Sequence, residues 1–285
     1  MDLIIYLLIV AATVTQSAST KAFNRQSQHS AVFNAVKAGT ALILFALMAA
    51  PGFAFHVPTL MFGLLYGGCM CLSMYAGYKA LCLGPMALSS MLVSFSVLIP
   101  LVWGVTAGQE TLSAVKCLAL VLLLCAIVLT NADKIKRGQK KQGNHALWLT
   151  FVGITLLCNG VASVLQKQHQ TLYPEAYSRE FMFFAMLLCA VIFGATVLKK
   201  LSFAEIRAAK GKRFGVLSGL TNGMANFLTL LLAGFENASI LFPVISAGTI
   251  LGALLCGRFV FREKLKINHY AALLTGIVAV VLLKL

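Results

Sequence analysis

The chain shows little alternation of polar and apolar positions. Instead, apolar runs of about 20 residues follow one another between short polar breaks. They fall at 2–20, 33–55, 58–80, 86–107, 113–131, 146–167, 179–198, 213–235, 238–260 and 268–285. A strand of a membrane barrel would alternate over roughly ten residues. These runs are continuously apolar at twice that length, which suits helices crossing a hydrocarbon core roughly 30 Å thick. The pattern predicts an all-α integral membrane protein with ten transmembrane helices. The longest polar stretch, Asn131–His145, divides them into a first five-helix set over 1–131, a basic linker over 132–145 and a second set over 146–285.

Composition removes the soluble alternative. Of 285 residues, 60% are hydrophobic and 11% charged, with mean hydropathy +0.89; soluble domains are about 45–50% apolar and about 25% charged. The eight cysteines lie within or beside apolar runs, without paired metal spacing, and read as small apolar residues. No basic region precedes the first run, so it reads as a retained helix, not a signal peptide.

The net charge of +15 would invite a nucleic-acid reading. The Lys and Arg residues, however, sit between apolar runs, where anionic lipid headgroups are the simpler partner. Nineteen of the 23 follow helices one, three, five, seven and nine, and four fall on the other side with the termini. Lys and Arg collect on the cytoplasmic side. Both termini are therefore expected outside the cytoplasm, in a multi-pass protein of the plasma or inner membrane.

Five helices per half is an odd number, which forces the halves into opposite orientations, as in an inverted repeat. A slide of 153 residues aligns Glu110 with Glu263, Gly104 with Gly257 and Leu98 with Leu251. It also aligns Ala119, Leu120, Ala126 and Leu129 with Ala272, Leu273, Ala279 and Leu282. The carrying motifs are Tyr78-Lys79-Ala80-Leu81-Cys82-Leu83-Gly84-Pro85, the stretch from Pro100 to Gln109-Glu110-Thr111-Leu112, Phe242-Pro243-Val244 and Phe261-Arg262-Glu263-Lys264-Leu265. Together these resemble the drug/metabolite transporter superfamily, of the EamA type. The resemblance implies two inverted five-helix repeats around a central cavity, with helices five and ten peripheral. Many members place both termini in the cytoplasm, whereas the charge count here places them outside.

A buried polar group without a partner costs several kcal/mol in hydrocarbon, so the in-membrane polar residues are the candidate site. Helix one offers Gln16 and Ser19; helix six offers Asn159 and Ser163, four apart on one face; helix eight offers Asn222 and Asn226, also four apart. Tyr66 and Ser73 occupy the corresponding face of helix three, and Ser94 lies in helix four. Each could contact a substrate or tie neighbouring helices together. Lys37 is expected to snorkel to the cytoplasmic surface, and Glu110 and Glu263 to serve as caps or local charge partners. The five histidines fall in loops or at helix ends, which disfavours a histidine proton relay.

No Asp or Glu falls at the middle of a run, which disfavours proton-coupled export of lipophilic cations. An intramembrane enzyme would need a nucleophile and base, facing acids or a metal; no catalytic residue, metal ligand or cofactor site is expected. The leading reading is a secondary transporter, exporter or facilitator, of a small polar organic metabolite such as an amino acid, working by alternating access. A multidrug or lipid-linked-sugar translocating member of the same superfamily is the nearest alternative. A non-transporting membrane scaffold or sensor is the alternative of a different class. Its expected partners are the small-molecule substrate and a bilayer with anionic lipids at the basic face, with no nucleic acid, as a monomer or homodimer.

Overall fold

The computed structural model describes residues 2–26, 30–83, 89, 92–108, 110, 113–136, 145–174, 176–201, 212–260 and 267–284. Among them there are helices and turns and no strand. In chain order the α-helices are α1 (Asp2–Gln26), α2 (Ser30–Ala49), α3 (Val57–Leu83), α4 (Leu98–Thr106) and α5 (Ala114–Lys136), then α6 (His145–Leu172), α7 (Ser178–Lys200), α8 (Lys212–Phe235), α9 (Ala238–Phe259) and α10 (Ile267–Lys284). Seven of them (α1, α2, α3, α6, α7, α8 and α9) are long and apolar enough to cross a membrane. Shorter apolar helical stretches run over Leu92–Thr106, Ala114–Leu129 and Ile267–Leu283. The molecule is an all-α, multi-pass membrane protein. Large apolar side chains such as Leu3, Leu47, Phe259, Ile267 and Leu274 stand exposed on the helix surfaces, which is tolerable where the solvent is lipid.

The prolines explain the local breaks. Pro51 follows the end of α2, where the chain tightens into a 3-10 turn over Ala50–Gly52. Pro100 removes an amide donor and its ring crowds the carbonyl of Ser96; a 3-10 turn over Phe95–Val97 precedes α4 there. Pro243 sits inside α9 without ending it, as membrane helices allow.

The chain forms two compact units, residues 1–71 with 168–234 and residues 72–167 with 235–285. Each draws on both halves of the sequence. In the first, α2 packs on α7, with Ala38, Cys71 and Cys189 in one cluster and Phe45, Phe181 and Leu230 fully buried. Here the glycine stripe of α8 makes close approach possible. A Cβ on Gly219 would lie 2.5 Å from the carbonyl oxygen of Lys37, and one on Gly215 3.0 Å from Val36. In the second unit α5 packs on α10, and α9 on α4, α5 and α10. Leu123, Ile127, Ala247 and Ala279 form its core, with Phe95 and Ile250 against them.

Of the basic linker expected over 132–145, residues 132–136 continue α5 and His145 begins α6. Residues 137–144 lie outside the described residues, as do Gly84, Pro85, Gln109, Thr111, Leu112 and Phe261–Lys266, Glu263 included.

Candidate functional site

The polar residues singled out in the sequence separate between the two units. In the first, the Tyr66 hydroxyl on α3 donates to Asn226 Oδ1 on α8 at 2.8 Å, and its ring lies 5.3 Å from that of Phe181. Asn226 Nδ2 in turn donates to the carbonyl of Asn222 at 2.8 Å. Asn226 is thereby a tie between helices.

Asn222 is different. It is 5% exposed, the eleventh residue of a 24-residue helix, and its side-chain amide has no hydrogen-bond partner among the described residues. One turn earlier on the same face, the buried hydroxyl of Ser218 also lacks one. Buried polar groups are nearly always paired, so each exception asks for an explanation. Ser218 is such an exception, and together with the unpartnered amide of Asn222 it forms an unsatisfied stripe near the middle of one apolar helix.

In the second unit the Ser73 hydroxyl on α3 donates to Asn159 Oδ1 on α6 at 2.6 Å. Ser163 turns back to the carbonyl of Asn159 at 3.2 Å. Ser94 is half-buried at the head of the 3-10 turn before α4. On α1, Gln16 is half-buried and Ser19 is buried, its hydroxyl spent on the carbonyl of Thr15 at 2.8 Å. Such back-bonding satisfies the hydroxyl within its own helix. No described side-chain hydrogen bond joins Gln16 or Ser19 to the Asn222 stripe.

One sequence expectation meets a different arrangement. Lys37 does not snorkel; it is 9% exposed, because Gly219 lets α8 close directly over its backbone. His169 lies in the last turn of α6, as the sequence suggests, and is 0% exposed. It belongs to a chain of bonds: His56 Nδ1 to Thr59 Oγ1 at 2.9 Å, Thr59 Oγ1 to His169 Nε2 at 3.0 Å, His169 Nδ1 to Gln170 at 3.1 Å and Gln170 Nε2 to Ser178 Oγ at 2.9 Å. The rings of His56 and Tyr177 stack above it at 4.4 Å. The sequence carried a partial signal, since Gln166, His169 and Gln170 recur on one face of α6.

Glu110 acts as a cap, though on a distant helix. Its carboxylate oxygens accept from the amides of Ala238 at 2.7 Å and Ser239 at 2.9 Å, the first residues of α9. The N-cap residue of that helix, Asn237, supplies no side-chain bond itself, so Glu110 satisfies two orphan donors at a positive helix end. Gly104 makes room for it; a Cβ there would lie 2.7 Å from Glu110 Oε2.

No protein-family model matches this chain, and no curated protein does. Among solved structures, one described only as "Crystal structure of protein" is similar over 98% of this chain and 94% of its own, with TM-score 0.77 at 13% sequence identity. At that identity the likeness is one of fold.

Proposed function

We propose that this chain is a secondary transporter of a small polar organic metabolite, such as an amino acid, of the EamA type within the drug/metabolite transporter superfamily. In this reading all ten helices cross the membrane, as two inverted five-helix repeats. The observation that carries the function is the unsatisfied stripe of α8. Asn222 and Ser218 are polar groups held at mid-helix without a partner among the described residues. An amide offers both donor and acceptor, which suits a zwitterionic or polar neutral solute. Groups left unpaired in one conformation and used in another are what alternating access requires.

Three features support the repeat. The helices that pack on one another include α2 with α7, α4 with α9 and α5 with α10, each five helices apart. Alanines aligned by the 153-residue slide, Ala119 with Ala272 and Ala126 with Ala279, are at most 1% exposed on α5 and α10. Gly104 and Glu110 are spaced as Gly257 and Glu263 are. The reading places the protein in a plasma or inner membrane with both termini outside and its basic loops on anionic lipid, as a monomer or homodimer. It assigns no catalytic residue, metal or cofactor.

Uptake by proteoliposomes of labelled amino acids, sugars and lipophilic cations tests this. At least one polar solute is expected to enter faster than into protein-free liposomes. Uptake confined to lipophilic cations would overturn the substrate class, and no accelerated uptake of any solute would overturn the reading.

A further inference from the structure

In the first unit a cavity of about 280 Å³ opens where the end of α2, the start of α7 and the last turns of α8 meet. That volume lies just below the usual range of small-molecule pockets, about 300–1,000 Å³, and suits a metabolite smaller than a drug. Phe227 and Leu231 supply apolar wall, Tyr177 an aromatic edge, and Arg179 and Glu180 two opposite charges. Ser178, the last member of the histidine-threonine-glutamine chain, also lines it. Tyr177 is held at φ 55° and ψ 17°, a left-handed conformation uncommon for a bulky residue.

Glu180 is the unusual group. It is 4% exposed, yet its one hydrogen bond among the described residues is a 3.3 Å contact from the Ala54 amide to Oε1. A carboxylate so enclosed needs a counter-charge or several donors. The first turn of α7 contributes the positive end of its dipole, and Oε2 still has no protein partner among the described residues. Arg179 is exposed and spends one N–H on the carbonyl of Met48 at 3.2 Å, which leaves the rest of a five-donor guanidinium available.

We infer that this cavity is a recognition site for a small zwitterion bearing a primary ammonium group, with the ammonium on Glu180 and the carboxylate on Arg179. An ammonium supplies three donors to the carboxylate that lacks them, and a guanidinium matches a carboxylate in bidentate geometry. The apolar wall of Phe227 and Leu231 receives a short side chain. As a vestibule for a transported solute the site rests on the transporter reading; its binding chemistry does not, and the two are separable by experiment.

The test is thermal unfolding of the purified full-length protein in lipid nanodiscs against each standard amino acid, ethylamine and propionate. At least one amino acid raises the unfolding temperature, and ethylamine competes with it more strongly than propionate. Glu180→Gln weakens amino-acid binding roughly 10- to 100-fold, the worth of a charge-assisted hydrogen bond. Leu231→Trp, which fills the cavity without touching either charge, abolishes the binding, and it decides the matter if Glu180→Gln does not fold. The inference is overturned if no amino acid stabilises the wild type, or if a folded variant binds as the wild type does. Flux of other solutes without amino-acid binding would sink this inference and leave transport standing; binding without any flux would do the reverse.

Discussion

At the scale of single residues, the two asparagines of α8 look alike in sequence and differ in structure. Asn226 holds the Tyr66 hydroxyl, so Asn226→Ala removes a buried hydrogen bond between α3 and α8 and is expected to lower stability by about 0.5–1.5 kcal/mol. Replacing both partners, as Tyr66→Phe with Asn226→Leu, is expected to recover part of that loss, because neither half of this bond is then buried without the other. Chemical unfolding of the single and double variants in the same detergent measures it. Glu110 is structural in a second way, through the amides of Ala238 and Ser239. Glu110→Gln is expected to lower stability by about 0.5–2 kcal/mol, in the range of a lost helix cap, with ligand affinity unchanged in the folded fraction. A variant of full stability that binds nothing would count against the cap as its role.

At the scale of elements, the helices were legible because each apolar run is long and uninterrupted, and the sequence-derived starts of α5, α6, α7, α8, α9 and α10 fall within one residue of those observed. The ends were less legible: α1 continues to Gln26 and α6 to Leu172, since polar residues extend a helix beyond the hydrocarbon without changing its hydrogen bonding. The candidate site was legible as a set of residue types on shared faces. What spacing could not show was pairing. Tyr66 and Ser73 lie on one helix seven residues apart, yet one bonds α8 and the other α6. The His56–His169 chain joins two segments distant in sequence, and no local pattern announces that 56–59 meets 169–178. The α5–α10 contact was visible only as aligned alanines, which the structure shows to be buried. Ala279→Leu forces extra volume into that seam and is expected to destabilise by about 1–3 kcal/mol, measured by the shift in unfolding midpoint. A neutral outcome would mean the seam is loose.

At the scale of the whole molecule, charge and chemistry point the same way. If all ten helices cross, as proposed, the distribution of Lys and Arg puts the ends of the chain on the side with few of them. A reporter that is active only in the cytoplasm, fused after Leu285, is therefore expected to be silent, and full activity would reverse the orientation. The apolar exterior, the glycine stripe of α8 against α2 and the packing of helices five apart are what rocking repeats would need. None of these touches a solute, whereas the stripe of α8 is the part of the account that must. The most direct measurement is uptake of the transported solute by proteoliposomes carrying Asn222→Ala beside the wild type, with unfolding temperatures taken on the same preparations. The Asn222 side chain has no partner among the described residues, so the variant is expected to unfold as the wild type does while transport at low solute concentration falls roughly tenfold or more, the loss of one desolvated hydrogen bond. A variant that transports as well as the wild type, or one that loses stability in place of transport, would contradict it.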